Sequence, residues 1–167
     1  VLDNIRFSGD YGEISDKELG IKDLVVGKNE KGEKEILPDQ AHRVDWAKFY
    51  FKDEVLRGNM SEETADKKYA NHRKKVEDWK KRAKASEDPL RILHDIAQGQ
   101  GSYDANQPFV SGIILSEEEE KRGVEKKANC NGRDKYFLAT VPEVFPDFKF
   151  KDQLSMEKMK DGSLEPH

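Results

Sequence analysis

Six residues at alternating steps of four and three form the clearest periodic pattern in this chain. Such spacing places all six on one face of an α-helix, so we predict an amphipathic helix that packs through this face. Ser61 is suited to cap the helix, and Glu62 and Glu63 are suited to its positive N-terminal end. The six residues are Ala65, Tyr69, His72, Val76, Trp79 and Ala83.

Two more helices are predicted, one on each side of this segment. The stretch from Pro38 to Leu56 carries an apolar stripe and runs into Arg57-Gly58-Asn59, which is typical of a helix stop. A third helix is predicted from Ser86, with Pro89 in its first turn and Gly99 in the left-handed conformation after its end. The stripe of the first helix consists of Val44, Ala47, Phe51 and Val55.

Strands are predicted on both sides of the helical region. Residues 21–37 place two apolar clusters around the turn sequence GKNEKG, which favours a hairpin. Later, FVSGIIL and KYFLATV are rich in β-branched and aromatic residues and are predicted to be buried strands. A last helix is predicted around LSMEKMKDG. The fold class is therefore α+β: an N-terminal hairpin region, two or three helices, a small mainly antiparallel sheet and a short C-terminal helix.

Length and charge favour one folded domain. A chain of 167 residues fits a single core, so one domain is predicted over residues 1–167. Apolar residues make up 35% and charged residues 38%, but 30 basic and 34 acidic residues leave a net charge of only −4. This balance indicates a soluble folded protein rather than a self-repelling disordered chain. The start at Val1 favours a fragment or a C-terminal module of a larger protein.

Several classes of protein are disfavoured. The longest uncharged apolar run, FVSGIIL, is far below the roughly 18 residues that a membrane span needs. Cys130 is the only cysteine, so no internal disulfide forms, which favours a reducing compartment such as the cytoplasm, reached if necessary by delivery. The pI near 5.7 argues against a dedicated nucleic-acid binder. Residues 67–84 are locally basic, and we predict that they form a solvated helix face.

The loop QGQGSYDANQPFVSG, residues 98–112, joins the helical half to the predicted strands. It is not a dinucleotide-binding fingerprint, because it follows a helix and lacks the third glycine. Polar side chains in it lie between His94 on a predicted helix and Ser111 on a predicted strand, and we expect them to border a substrate cleft. The predicted substrate-binding residues are Tyr103, Asp104, Asn106 and Gln107.

The segment NQPFVSG, a charged spacer and KYFLATVP resemble the middle of ADP-ribosyltransferase toxin domains, where a strand bearing Phe-Val-Ser braces an NAD cleft. The resemblance implies that Arg6 orients NAD and that Ser111 supports the cleft. The late glutamate of that family has no clear counterpart, because Glu118 and Glu120 precede the presumed last strand and Glu143 has no partner two residues earlier. The second serine or threonine of the family's strand is also missing.

In RILHDIAQG, adjacent His94 and Asp95 resemble the metal-binding doublet of HD-type phosphohydrolases. The resemblance implies a metal ion that activates water, with His42 or His72 as the earlier histidine. That family stays helical after the doublet, whereas strands are predicted here. His94 and His72 are also the candidate acid–base residues of an RNA-cleaving enzyme.

Three functional hypotheses follow. The first is a catalytic effector or toxin module acting on RNA or NAD, a nuclease or ADP-ribosyltransferase-like enzyme, with a cognate inhibitor as its expected protein partner. Its candidate catalytic residues are Arg6, His72, His94 and Ser111. The alternative is a non-catalytic interaction domain of the inhibitor or immunity type, favoured by the acidic pI and by the apolar helix stripe, in which His72 is a packing residue. The third is the metal phosphohydrolase. The sequence identifies no cofactor.

Overall fold

A computed structural model describes residues 26–28, 34–36, 45–147 and 156–166, and it is mostly helical. Helices α1 and α2 follow each other across a short turn, and α5 packs against both. Within the described ranges every helix is too short or too polar to cross a membrane. The helices are α1 (Trp46–Leu56), α2 (Glu62–Ala85), α3 (Pro89–Gln98), α4 (Glu117–Lys121) and α5 (Cys130–Val144).

Short strands in the described residues form three separate pairs. Strands β1 and β2 pair antiparallel around the predicted GKNEKG turn, and β5 and β6 also pair antiparallel. Strands β3 and β4, which lie between the helices, are parallel. The strands are β1 (Val26–Lys28), β2 (Lys34–Ile36), β3 (Ser102–Tyr103), β4 (Lys127–Ala128), β5 (Met156–Lys158) and β6 (Leu164–Pro166).

Capping side chains set where the helices begin. The Ser61 hydroxyl accepts a hydrogen bond from the Thr64 amide at 3.1 Å, which confirms the predicted start of α2. Helix α3 is capped by Asp88 rather than Ser86, and Pro89 occupies its first turn. Gly99 ends α3 in a right-handed conformation with φ of −74°, so the predicted left-handed glycine at this position is wrong.

The core is built from one face of each long helix. The predicted stripe of α2 is confirmed: Ala65, His72 and Val76 are buried, and the other three residues pack against the core. Helix α1 contributes a cluster of aromatic rings, with the Trp46 and Phe49 centroids 5.8 Å apart. Because burial of large aromatic side chains dominates core energetics, α1 anchors the fold despite its 11 residues.

The predicted strand FVSGIIL is wrong. Val110–Gly112 form a 3₁₀ turn, and the three apolar residues that follow are all buried. The turn packs against α1 and α5, and the Ile114 and Leu115 carbonyl oxygens accept hydrogen bonds from the Lys68 and Asn71 side chains of α2. Its β-branched residues reflect burial and not sheet pairing.

The predicted strand KYFLATV is also wrong, because it lies inside helix α5. Asn129 caps this helix by accepting from the Gly132 amide at 3.1 Å. The buried positions Gly132, Tyr136, Ala139, Thr140 and Val144 recur at helical spacing. Tertiary packing thus overrides the β-propensity of the segment.

The predicted mainly antiparallel sheet after the helices is therefore replaced by helix α5 and the parallel pair β3–β4. The predicted C-terminal helix around LSMEKMKDG is wrong too, since residues 156–158 and 164–166 pair as the β5–β6 hairpin. Asp161 and Gly162 form its turn, with φ of 86° at Gly162. A glycine in this conformation suits a tight hairpin turn and does not continue a helix.

Candidate functional site

The loop 98–112 is fixed by close backbone packing against β4. Strand β3 in the loop pairs with Lys127 and Ala128, and the Asn129 amide donates to the Gln107 carbonyl at 2.8 Å. A Cβ atom added at Gly112 would lie 2.2 Å from the Lys127 carbonyl oxygen. The glycines of the loop at positions 101 and 112 therefore allow the backbone of the loop to approach the backbone at β4. This packing accounts for both glycines without a ligand.

The N-terminal half of α5 also holds the loop in place. The Asn129 side chain donates to the Ala105 carbonyl at 3.2 Å, and Lys135 donates to the Pro108 carbonyl at 3.2 Å. The Arg133 guanidinium donates to the Gly101 carbonyl at 3.1 Å and lies 5.7 Å from the centre of the Tyr103 ring. Basic side chains of α5 are thus used to fix loop conformation.

The four predicted substrate-binding residues lie together on this loop, but two of them bind the loop itself. Asp104 accepts a hydrogen bond from the Asn106 amide at 3.0 Å, and Gln107 accepts from the Phe109 amide at 3.3 Å. Tyr103 is 58% exposed, and the Asn106 side chain is exposed. The loop thus turns the chain, and its four residues do not line either of the two clefts described below.

Ser111 lies in the 3₁₀ turn beside a buried carboxyl group. Its hydroxyl donates to Glu54 of α1, which is only 2% exposed, and the Glu54 Oε2 atom has no hydrogen-bond donor among the described residues. Burial raises the pKa of Glu54, and the Ser111 hydrogen bond together with the nearby Lys135 and Lys68 charges offsets part of this increase. Ser111 therefore connects α1 to the turn and does not lie on a strand.

Lys68 is the second buried charge at this turn. Its Nζ atom donates to the carbonyl oxygens of Ser111 and Ile114 and lies 2.9 Å from a Glu119 carboxylate oxygen. It thereby satisfies carbonyls at the end of the turn and binds α4 to α2. Lys68 falls in the segment predicted to be a solvated basic face, and for this residue that prediction is wrong.

His72 is a packing residue inside the helical core. It is 2% exposed, its Nε2 atom lies 3.3 Å from the Ala139 carbonyl oxygen, and its ring packs edge-to-face with Tyr136. Burial lowers the pKa of His72 to about 4, more than the Ala139 hydrogen bond raises it. A substrate cannot reach this imidazole in the described conformation.

The lowered pKa of His72 predicts a loss of stability in acid. An unfolded histidine has a pKa of about 6.5, so below that value the unfolded chain binds a proton that the folded chain does not. Stability therefore falls as the pH decreases from about 6.5 towards 4. We expect His72→Gln to remove about 2 to 3 kcal/mol of the difference in unfolding free energy between pH 7 and pH 4.5.

Urea unfolding of both proteins at the two pH values measures this effect. Glutamine can still donate to the Ala139 carbonyl but does not titrate, so carboxylate contributions cancel in the comparison. Equal pH dependence in wild type and variant would show that His72 is not a buried neutral histidine.

His94 and Asp95 each contact another side chain in the described structure. His94 is exposed on α3, and its Nε2 atom lies 3.4 Å from the Gln98 amide nitrogen. Asp95 lies 2.5 Å from the Arg82 guanidinium. Among the described residues, no three His, Cys, Asp or Glu side chains are grouped to hold a metal ion. The other predicted residues, Arg6 and His42, lie outside the described ranges.

A groove between α1 and α2 is lined by one face of each helix. Its volume is about 190 Å³. Each helix lines it with four residues at positions i, i+3, i+4 and i+7, which is the spacing of one helix face. We call this surface the α1–α2 groove; it is lined by Lys48, Phe51, Lys52 and Val55 from α1, and by Glu62, Ala65, Asp66 and Tyr69 from α2.

The walls of the α1–α2 groove carry opposite charges above an apolar floor. Both lysines come from α1 and both carboxylates from α2. Lys52 and Glu62 lie 3.6 Å apart, and the Tyr69 hydroxyl donates to Asp45. Because position 45 meets position 69 and position 52 meets position 62, the two helices run antiparallel along the groove.

A larger cleft lies between α2 and α4, with a volume of about 320 Å³. Its charged residues pair with one another: Glu117 lies 3.3 Å from Lys74 and 3.2 Å from Lys121. Hydrogen bonds from Lys121 and Lys74 lower the pKa of the Glu117 carboxyl. These mutual pairs leave the cleft less suited to a charged partner than the α1–α2 groove.

Sequence reasoning missed this groove and the buried Glu54 and Lys68. The stripe predicted on α1 contains only apolar residues. Lys48 and Lys52 lie on the same helix face as Phe51 and Val55. The same spacing of Glu62 and Asp66 around Ala65 was readable in the sequence. Two neighbouring helices thus carry the signal for a groove. On each helix the facing residues include apolar and charged side chains, and the charges are basic on α1 and acidic on α2.

Comparison of the chain with protein-family models, with curated proteins and with solved structures finds no match.

Proposed function

We propose that this protein is a non-catalytic interaction module of the inhibitor or immunity type, which binds a protein partner through the α1–α2 groove. The observation that supports this proposal is the groove itself, in which apolar side chains lie between walls of opposite charge. Binding energy at protein interfaces is concentrated in a few large side chains that fill such depressions.

The size of the groove favours a protein partner over a small molecule. Pockets for cofactors and drug-sized ligands usually measure about 300 to 1,000 Å³. The α1–α2 groove, at about 190 Å³, is smaller and holds one or two large apolar side chains. Charged residues around its edge would surround those side chains with a polar rim, as interfaces between proteins commonly do.

The nuclease, transferase and phosphohydrolase hypotheses stay predictions. In the described residues His94 contacts Gln98, Ser111 contacts Glu54 and His72 is buried, so these three side chains do not converge on one cleft. The interaction hypothesis does not require these side chains to lie close together. We therefore use enzymatic turnover as the competing outcome of the following experiment.

The experiment compares two variants that place a phenyl ring at exposed positions of one helix. Asp66→Phe places it in the α1–α2 groove, whereas Ala70→Phe places it in the α2–α4 cleft. Each immobilised protein is exposed to extract of the source organism, after circular dichroism melting has shown that the variant is folded. We expect one partner to be retained by wild type and by Ala70→Phe and lost from Asp66→Phe.

Equal retention by all three proteins would contradict the proposed surface. Turnover is measured in parallel by incubating the purified protein with NAD and with RNA. Product formation that His94→Ala or Ser111→Ala abolishes, in variants that still fold, would replace the interaction hypothesis by a catalytic one.

A further inference from the structure

We infer that the occupant of the α1–α2 groove is an amphipathic helix of the partner, with two large apolar side chains one turn apart, an acidic edge towards α1 and a basic edge towards α2. This inference rests on the proposed function. It adds the secondary structure, the anchor spacing and the charge pattern of the segment that binds.

The length of the groove sets the anchor spacing. Positions i to i+7 of an α-helix span roughly 10 Å, about two helical turns. Two anchors at i and i+4 of a bound helix lie roughly 6 Å apart along its axis, so both fit within that length. Phe51 and Ala65 form the buried floor, and the partly buried Val55 and Tyr69 form the sides that the anchors would contact.

An extended peptide suits this surface less well than a helix. Recognition by strand addition needs the free N–H and C=O groups of a sheet edge. Both walls of the groove are α-helices, whose backbone groups bind each other within the helix. Side-chain contacts must therefore supply the binding energy, as they do when a helix lies in an apolar groove.

The charges define which edge faces which wall. Lys52 and Glu62 pair with each other across the groove at 3.6 Å. Within the part of the chain that the structure describes, neither Lys48 nor Asp66 forms an ion pair. These two charges on opposite walls are therefore available to an acidic and a basic edge of the incoming helix.

The test uses three synthetic helical peptides and fluorescence anisotropy. The first carries two leucines at i and i+4, glutamates along one edge and lysines along the other. The second carries lysines along both edges, and the third has the leucines of the first replaced by alanine. We expect wild type to bind the first peptide most tightly, the second several-fold more weakly, and the third without detectable affinity.

Charge reversal of the protein should exchange this preference. Lys48→Glu makes both walls acidic, so it should weaken the first peptide about fivefold and strengthen the second about fivefold, as expected for exposed charge pairs. The matched control is Lys81→Glu, an exposed lysine of α2 outside the groove, which should leave the ranking unchanged.

Peptide binding tests the helical occupant, whereas retention of the natural partner tests the groove as the binding surface. If none of the peptides binds, or if alanine in place of both leucines leaves binding unchanged, the helical occupant is wrong. Loss of the natural partner from Asp66→Phe would then still support the groove as the binding surface. If Lys48→Glu and Lys81→Glu weaken binding of the first peptide equally, the assigned charge pattern is wrong.

Discussion

Replacement of Lys68 by Met is expected to lower the free energy of unfolding by about 3 to 5 kcal/mol. The Lys68 Nζ atom donates to the Ser111 and Ile114 carbonyls at 3.2 and 3.4 Å, and its pair with Glu119 has a distance of 2.9 Å. The side chains of Lys68 and Glu119 are only 7% and 22% exposed. The substitution leaves one carboxylate and two carbonyl groups without the Lys68 donor. Because the site is buried, water cannot replace most of these hydrogen bonds.

Urea unfolding at pH 7 measures this loss, and the adjacent residue provides the control. Lys67 forms an exposed pair with Glu63 at 3.0 Å, so Lys67→Met should leave the stability nearly unchanged. Adding Glu119→Gln to Lys68→Met should recover part of the loss, because a neutral amide needs no cation. Equal effects of Lys68→Met and Lys67→Met would show that the buried lysine does not hold the turn.

Replacement of Gly101 by Ala is expected to destabilise the protein by about 3 kcal/mol or more. Gly101 has φ of 70°, and an added Cβ atom would lie 2.1 Å from the Lys126 carbonyl oxygen. That oxygen accepts the Ser102 amide at 2.9 Å, so moving it disrupts the entry to the β3–β4 pair. Backbone displacement and left-handed strain therefore add at this position.

Gly123 separates these two contributions. It has φ of 73°, but no heavy atom lies within 4 Å of its added Cβ in the described structure. Gly123→Ala should therefore cost only the conformational strain, about 1 to 2 kcal/mol. Thermal or urea unfolding of both variants measures the difference, and equal costs would contradict the close approach of Gly101 to β4.

Local sequence signals predicted the helices of the first half well. The α2 stripe combines a capping serine, acidic residues in the first turn and six apolar-face positions at helical steps, and all of these act within 24 residues. Turn composition likewise placed the β1–β2 hairpin. Such features depend on neighbours in the sequence, so they can be read without the fold.

The second half depended on contacts that the sequence does not display. In KYFLATV, β-propensity and helical burial spacing disagree, and packing of α5 on α1 and α2 decides for the helix. Lys68 and Ser111 are separated by 43 residues, so nothing local distinguishes this buried lysine from its exposed neighbour Lys67. Propensity and composition assigned both lysines to the same solvated face.

The candidate site was predictable in part. The sequence predicts that the loop 98–112 borders a cleft, but Gly101 and Gly112 allow the approach to β4, and Asp104 and Gln107 bind the loop itself. The α1–α2 groove requires knowing that α1 and α2 pack side by side with the stripes at 48–55 and 62–69 facing each other. Each stripe can be predicted from the sequence, but the packing of one stripe against the other is a tertiary contact that the sequence does not show.

Nuclear magnetic resonance can show whether the α1–α2 groove is the binding surface. The ¹⁵N-labelled protein is titrated with the peptide that carries two leucines, an acidic edge and a basic edge. We predict that backbone amide shifts change mainly in residues 48–55 and 62–69, with saturation at one equivalent. Shift changes centred on loop 98–112 or on the α2–α4 cleft would contradict the claim.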